Sequence, residues 1–369
     1  MNAKATSLLD ELRRASDQAG RRVQLMEVCG THTVSAFRSG IRSLLPENVR
    51  LVSGPGCPVC VTAQRHIDAV IELAARDDVL VATYGDMMRV PGRRGSLEQA
   101  RAAGARVHVI NSARGALRLA REHPRETVVF LAVGFETTAP ATAAIVLEAE
   151  RSELTNLSVL SCHKVVVPAM LALLAAGDVA IDGFLCPSHV TVIIGWDAYR
   201  PVVRQFHKPC VVADFEPNQI LRGLLHLVRQ IGTSRPRVEN VYQGVVNGHG
   251  NPFALALLQR VFVPGDTTWR GLGAIPASGL ELASGFRRYD AVWRFGLSLG
   301  EDHDNPCCRC GDVIKGNIDP DACPLFGSAC TPLTPIGPCM VSSEGTCAAW
   351  FKYRPPGERE VSLAQGGVS

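Results

Sequence analysis

The chain has 369 residues, enough for two or three domains with cores of their own. It is 46% hydrophobic and 20% charged, with a net charge of +3 and both signs interspersed, so it reads as a globular protein without a nucleic-acid footprint. No apolar run reaches the roughly 18 residues a membrane span needs, and the N-terminus has acids but no apolar signal core, which predicts a cytoplasmic protein.

Residues 1–20 have the pattern of an amphipathic helix. From 21 to 231 a strand-then-helix rhythm follows. Eight short runs rich in Val, Ile, Leu and Phe are predicted strands: "RVQLMEV", "VRLVSG", "VLVATYG", "RVHVIN", "TVVFLAVG", "LSVLSC", "DGFLC" and "CVVADF". Helical patterns lie between most of them, as in "TAQRHIDAVIELAARD" with Ile67, Val70, Ile71 and Ala74 on one face, and in "NQILRGLLHLVRQI". Alternating strands and helices predict right-handed crossovers and parallel sheets. The fold class is therefore α/β: two doubly wound parallel-sheet domains, 21–125 and 126–245, facing a cleft. An irregular, cysteine-rich domain, 246–369 with the helix 1–20, completes the chain.

In such sheets the ligand site lies beyond the carboxyl ends of the strands. There the sequence places Cys29-Gly-Thr-His32, Cys57-Pro-Val-Cys60, Asp86, Glu136, His163, His189 and Glu216. A sheet that needed only to fold would end its strands in simple turn residues. Cys29 ends an apolar run against glycine and hydroxyls. It is either a thiolate ligand, with His32 as ligand or proton donor, or a core cysteine beside a capping histidine. Cys57 and Cys60 form a CxxC between a strand and a helix, where the helix N-terminus favours thiolate. The pair suits a redox dithiol; a metal knuckle or plain structural thiols are the alternative. His163 and His189 divide evenly between functional and hydrogen-bonded structural roles. Asp86, Glu136 and Glu216 are acid/base candidates or anchors.

Thirteen cysteines in a reducing compartment call for a reason other than disulfides. Six precede residue 307, and seven lie between Cys307 and Cys347. Cys308, Cys323, Cys330 and Cys347 give C-x14-C-x6-C-x16-C. Four thiolates suit zinc or a [4Fe–4S] cluster; the dispersed spacing lacks the paired knuckles of structural zinc and favours the cluster. Cys310 and Cys339 remain as an additional thiol pair beside it, or as one alternative ligand and one idle thiol. The segment has too little apolar periodicity to fold without a metal centre. A phosphate-binding P-loop, a dinucleotide fingerprint in a suitable setting, a radical-SAM triad and a nucleophile elbow are all missing.

Six stretches together, "MEVCGTHT", "GPGCPVC", "TYGDMMRVPG", "GFETTAPATA", "GFLCPSHVTVIIG" and "GPCMVSSEGTCAAW", resemble the HypD family of hydrogenase maturation factors, in order, from about residue 22 to 355. The resemblance implies a scaffold for the Fe(CN)2CO group of [NiFe]-hydrogenase. Such a protein pairs with HypC, takes cyanide from a thiocyanate on HypE and serves the hydrogenase large subunit indirectly. It also implies Cys29 as the thiolate for Fe(II) carrying CN and CO, with His32 beside it and Cys57/Cys60 as the redox pair in the same cleft. Cys308, Cys323, Cys330 and Cys347 become ligands of a [4Fe–4S] cluster similar to that of ferredoxin–thioredoxin reductase, and Cys310/Cys339 a disulfide candidate next to it. Such a protein is a redox-active assembly scaffold. Ser188 and Asp214 stand where the family pattern has glycine. A cluster-dependent thiol–disulfide oxidoreductase is the rival reading; it leaves Cys29 without work.

Overall fold

The structure is a computed structural model that describes residues 3–353. The first two residues of the expected N-terminal helix and residues 354–369 of the expected third domain lie outside the described residues. All eight predicted strands form: β1 (Val23–Glu27), β2 (Val49–Ser53), β3 (Val79–Thr83), β4 (Val107–Val109), β5 (Thr127–Gly134), β6 (Leu157–His163), β7 (Gly183–Pro187) and β8 (Cys210–Ala213). β3 and β7 are buried along their whole length, as strands covered by helices on both faces must be. A ninth strand, β9 (Val238–Asn240), is half-buried, polar and three residues long, so it carries no apolar signal in the sequence. β10 (Phe262–Trp269) and β11 (Gly273–Leu282) form an antiparallel hairpin.

Two parallel sheets result, but they do not follow the expected division at residue 125. One sheet has the order β2-β1-β7-β8-β9 and the other β4-β3-β5-β6. The chain lays down β1 and β2, leaves to build the whole second sheet, and returns with β7. Residue 125 therefore falls inside the second sheet's run of strands, and the boundaries 21–125 and 126–245 are replaced by one interrupted and one continuous unit. Strand composition encodes burial on both faces; it does not encode which neighbour a strand takes.

The third expected unit also splits. The helix Ala3–Ala19 packs on the first sheet's side: Leu8, Leu9 and Leu12 share a core with Leu221, Leu224 and Leu225 of the helix Pro217–Gly232. An exposed ion pair, Glu11 with Arg229 at 2.8 Å, joins the same two helices. The hairpin instead belongs to the second sheet. Phe262, Leu282, Phe286 and Tyr289 close over Phe130 and Val159, and Ser161 Oγ donates to the Leu280 carbonyl at 2.6 Å. Among the described residues, only 307–353 is both largely irregular and cysteine-dense. Among the described residues no helix is long and apolar enough to cross a membrane.

Candidate functional site

The carboxyl ends of strands from both sheets meet at a cleft of about 380 Å³. Cys29, Asp86, Thr138, His189 and Glu344 line it. A larger groove of about 800 Å³ runs beside β2, but no thiol or imidazole lines it.

Cys29 follows β1 in extended conformation and starts the helix Gly30–Arg38. Its Sγ is buried and lies 3.8 Å from His189 Nε2. Burial, reinforced by the Glu344 carboxylate, pushes the Cys29 thiol up to about 12; hydrogen bonds from the His32 and Thr31 backbone N–H groups and the Thr31 hydroxyl pull it back only in part. The thiol alone is therefore neutral near pH 7. A cation bound there would supply the charge that removes its proton.

His32 is fully buried. Its Nε2–H donates to the Asp214 carbonyl at 3.3 Å, and Nδ1 has no partner. Burial lowers its pKa to about 4, so the ring is neutral and Nδ1 carries a free lone pair. Phe215 stands between the two imidazoles, 4.8 Å from His32 and 5.1 Å from His189. Ser188 Oγ donates to Asp214 Oδ1 at 2.9 Å. The two departures from the family-like glycines thus bond to each other beneath the histidines.

Gly56 brings the CxxC loop against Cys29. A Cβ at Gly56 would lie 2.3 Å from the Cys29 nitrogen, and the Gly30 N–H donates to the Gly56 carbonyl at 3.2 Å. Cys57 caps the short helix Pro58–Val61, accepting from the Cys60 N–H at 3.3 Å. Cys60 points inward beside Cys339, its Sγ donating to the Pro338 carbonyl at 4.0 Å, and burial raises its pKa. Cys339 in turn lies 2.8 Å from Cys310, sulfur to sulfur. Cys57, Cys60, Cys339, Cys310 and Cys308 are thus successive neighbours, with the 2.8 Å Cys339–Cys310 pair at the centre.

At the tail end of that path Cys308, Cys310, Cys323, Cys330, Cys339 and Cys347 surround one small apolar cavity. The Ile336 N–H donates to Cys330 Sγ at 3.3 Å, and Gly337 leaves room for Cys308, whose sulfur a Cβ there would meet at 2.7 Å. Among the described residues no three Cys, His, Asp or Glu converge on a single ion position. Six thiols around one cavity are a soft donor set that would hold an iron–sulfur centre or zinc. Cys307 is exposed and does not line the cavity.

His32, Cys57 and Cys60 lie beneath the cleft lining, and three further sequence candidates lie outside it. His163 ends β6 facing the helix Ala139–Arg151, where Nε2 meets Thr142 Oγ1 at 2.8 Å; burial lowers its pKa to about 4. Glu136 is buried and accepts from the Val166 N–H at 2.9 Å, capping the helix Val166–Ala176. Glu216 is exposed at the start of the helix Pro217–Gly232. Asp86, by contrast, lines the cleft and accepts from Ser342 Oγ at 2.9 Å.

Sequence reasoning singled out neither Ser342 nor Glu344. Glu344 accepts from Thr31 Oγ1 at 2.7 Å, and its backbone leaves Gly30 no room for a side chain. The stretch "GPCMVSSEGTC" carried the signal, but its cysteines drew the attention.

The HypD family model, described as a hydrogenase formation hypA family, matches residues 3–354. The hydrogenase maturation factor HypD of Escherichia coli K12 is 45% identical over 352 residues, covering 94% of each chain. That of Azotobacter vinelandii is 47% identical, covering 94% of this chain and 93% of its own. The hydrogenase expression/formation protein HupD of Azotobacter chroococcum is 45% identical over 370 residues, covering 98% and 97%.

Proposed function

Because the chain belongs to the HypD family of hydrogenase maturation factors, we propose that it is the scaffold on which, together with HypC, the Fe(CN)2CO group of [NiFe]-hydrogenase is assembled before it passes toward the large subunit. The observation that carries this reading is the run of thiols from the CxxC loop, whose Gly56 packs on Cys29, to the cysteine-lined cavity of the tail.

Fe(II) is the cargo. Cys29 Sγ holds it as thiolate in a cleft that His189, Glu344 and Asp86 also line. Cyanide reaches the cleft as a thiocyanate on a cysteine of HypE. Its release is reductive: RSCN and the Cys57/Cys60 dithiol give RSH, cyanide on iron, one proton and a Cys57–Cys60 disulfide. Cys60 sits against Cys339, so thiol–disulfide exchange can pass the oxidised state from the CxxC to Cys339 and Cys310. A [4Fe–4S] cluster on Cys308, Cys323, Cys330 and Cys347 supplies low-potential electrons when bound.

Infrared spectroscopy of the anaerobically purified complex with HypC tests this. We expect CN and CO bands that Cys29→Ala removes while the visible absorbance of the tail centre stays. A complex without such bands favours the thiol–disulfide oxidoreductase reading. Loss of both signals in Cys29→Ala would refute the separation of the two sites.

A further inference from the structure

A second cavity touches the thiol path from outside and has no part in the chemistry above. It holds about 390 Å³, a size suited to a small ligand and too narrow for a protein domain. Cys308 and Cys310 reach its wall; Cys339 does not. The wall is built by close backbone contact. Gly271, at φ +78°, turns the β10–β11 hairpin so tightly that a Cβ there would lie 2.5 Å from Gly311 Cα, on the helix Cys310–Lys315.

The charges around it are uneven. Arg270, Arg309 and Lys315 face Asp304 and Asp312. Arg309 pairs with Asp312 at 2.5 Å, and Lys315 reaches out to Asp178 at 3.6 Å. Arg270 is 7% exposed and pairs with Asp304 at 2.6 Å through one Nη2, while its Nη1 is buried without a partner. A buried guanidinium nitrogen with no acceptor costs stability unless a ligand supplies one.

We propose that this cavity is an entry port for an anionic low-molecular-weight thiol that reduces the Cys310–Cys339 pair. This rests on the reading that the pair cycles between dithiol and disulfide. The thiolate attacks Cys310 Sγ, the sulfur of the pair that lines the cavity. The Cys310–Cys339 bond breaks, a mixed disulfide forms on Cys310, and Cys339 leaves as thiolate and takes a proton. A second thiol resolves the mixed disulfide. In sum, two RSH and the disulfide give RSSR and two cysteine thiols. The released Cys339 faces Cys60, so reducing equivalents enter at the inner end of the CxxC.

The test uses the full chain oxidised with diamide, with the rate of reduction of the Cys310–Cys339 disulfide followed by differential alkylation and mass spectrometry. Glutathione serves as the anionic probe and cysteamine as the cationic one, each compared with its own wild-type rate so that intrinsic thiol reactivity cancels. Arg270→Gln and Lys315→Gln should each slow glutathione by roughly three- to tenfold and leave cysteamine unslowed. The half-exposed Lys315 variant keeps the test decisive if Arg270→Gln fails to fold. Cys339→Ser treated with oxidised glutathione should carry the mixed disulfide on Cys310. Equal effects on both thiols, or glutathione captured elsewhere, overturn the port alone. If diamide yields no Cys310–Cys339 disulfide, the relay proposed for function falls together with it.

Discussion

Gly56→Ala isolates the contact that holds the dithiol at Cys29. The backbone angle at Gly56 suits any residue, so the effect is purely one of space. The added Cβ would sit 2.3 Å from the Cys29 nitrogen and 2.4 Å from Cys29 Cα and the Val28 carbonyl carbon, against 3.4 Å for an ordinary contact. The loop or the start of the helix Gly30–Arg38 must therefore move by about 1 Å, and both are backbone in a buried region. Overpacking of this kind costs about 1–3 kcal/mol. Displacing reacting groups by about 1 Å can cost on the order of 10²-fold in rate. We expect a lowered melting temperature and a far larger drop in hydrogenase maturation, measured as active enzyme formed in a reconstituted mixture. Unchanged maturation with a folded variant would refute the claim that this contact sets the Cys29-to-CxxC geometry.

Other changes probe the remaining parts. Glu344→Gln keeps an acceptor for Thr31 but removes the negative charge near Cys29, so the Cys29 pKa should fall from about 12 and its alkylation at pH 8 should quicken; an unchanged rate rejects that coupling. Burial lifts the Glu136 pKa from 4.5 to about 7, so the folded state holds a proton that the unfolded chain has released. The resulting penalty grows as pH rises from 4.5 to 7 and reaches about 3 kcal/mol above that. Glu136→Gln should flatten this part of the stability–pH curve, as read by denaturant titration at several pH values. Leu12→Ala should cost about 2–5 kcal/mol and speed amide exchange in the helix Pro217–Gly232 rather than in the cysteine-rich tail.

How much of the site was legible depends on the residue. Cys29, Asp86 and His189 follow strands and line the cleft, whereas Cys57 and Cys60 follow a strand but are buried behind it, toward the tail. Glu136 and His163 follow strands as well, yet one caps the helix Val166–Ala176 and the other bonds Thr142. Being at a strand end fixes a residue's height above the sheet. The face it points to depends on where the pleat and the turn leave it, and one residue's offset reverses that.

The sequence by itself determined the local structure and the chemistry available. Most of the eight parallel strands are apolar runs buried on both faces, although β4 exposes His108 and Val109 and β2 exposes Arg50, and the long helices carry an apolar stripe, so these elements follow from composition and period. The thiols and imidazoles were equally visible. Tertiary structure alone decided that β1 pairs with β7, that the helix Ala3–Ala19 covers the first sheet, and that Cys60 meets Cys339. These are contacts between segments far apart in the chain. They form because closing both sheets buries far more apolar surface than any local pairing, and no local pattern records which distant partner completes that burial.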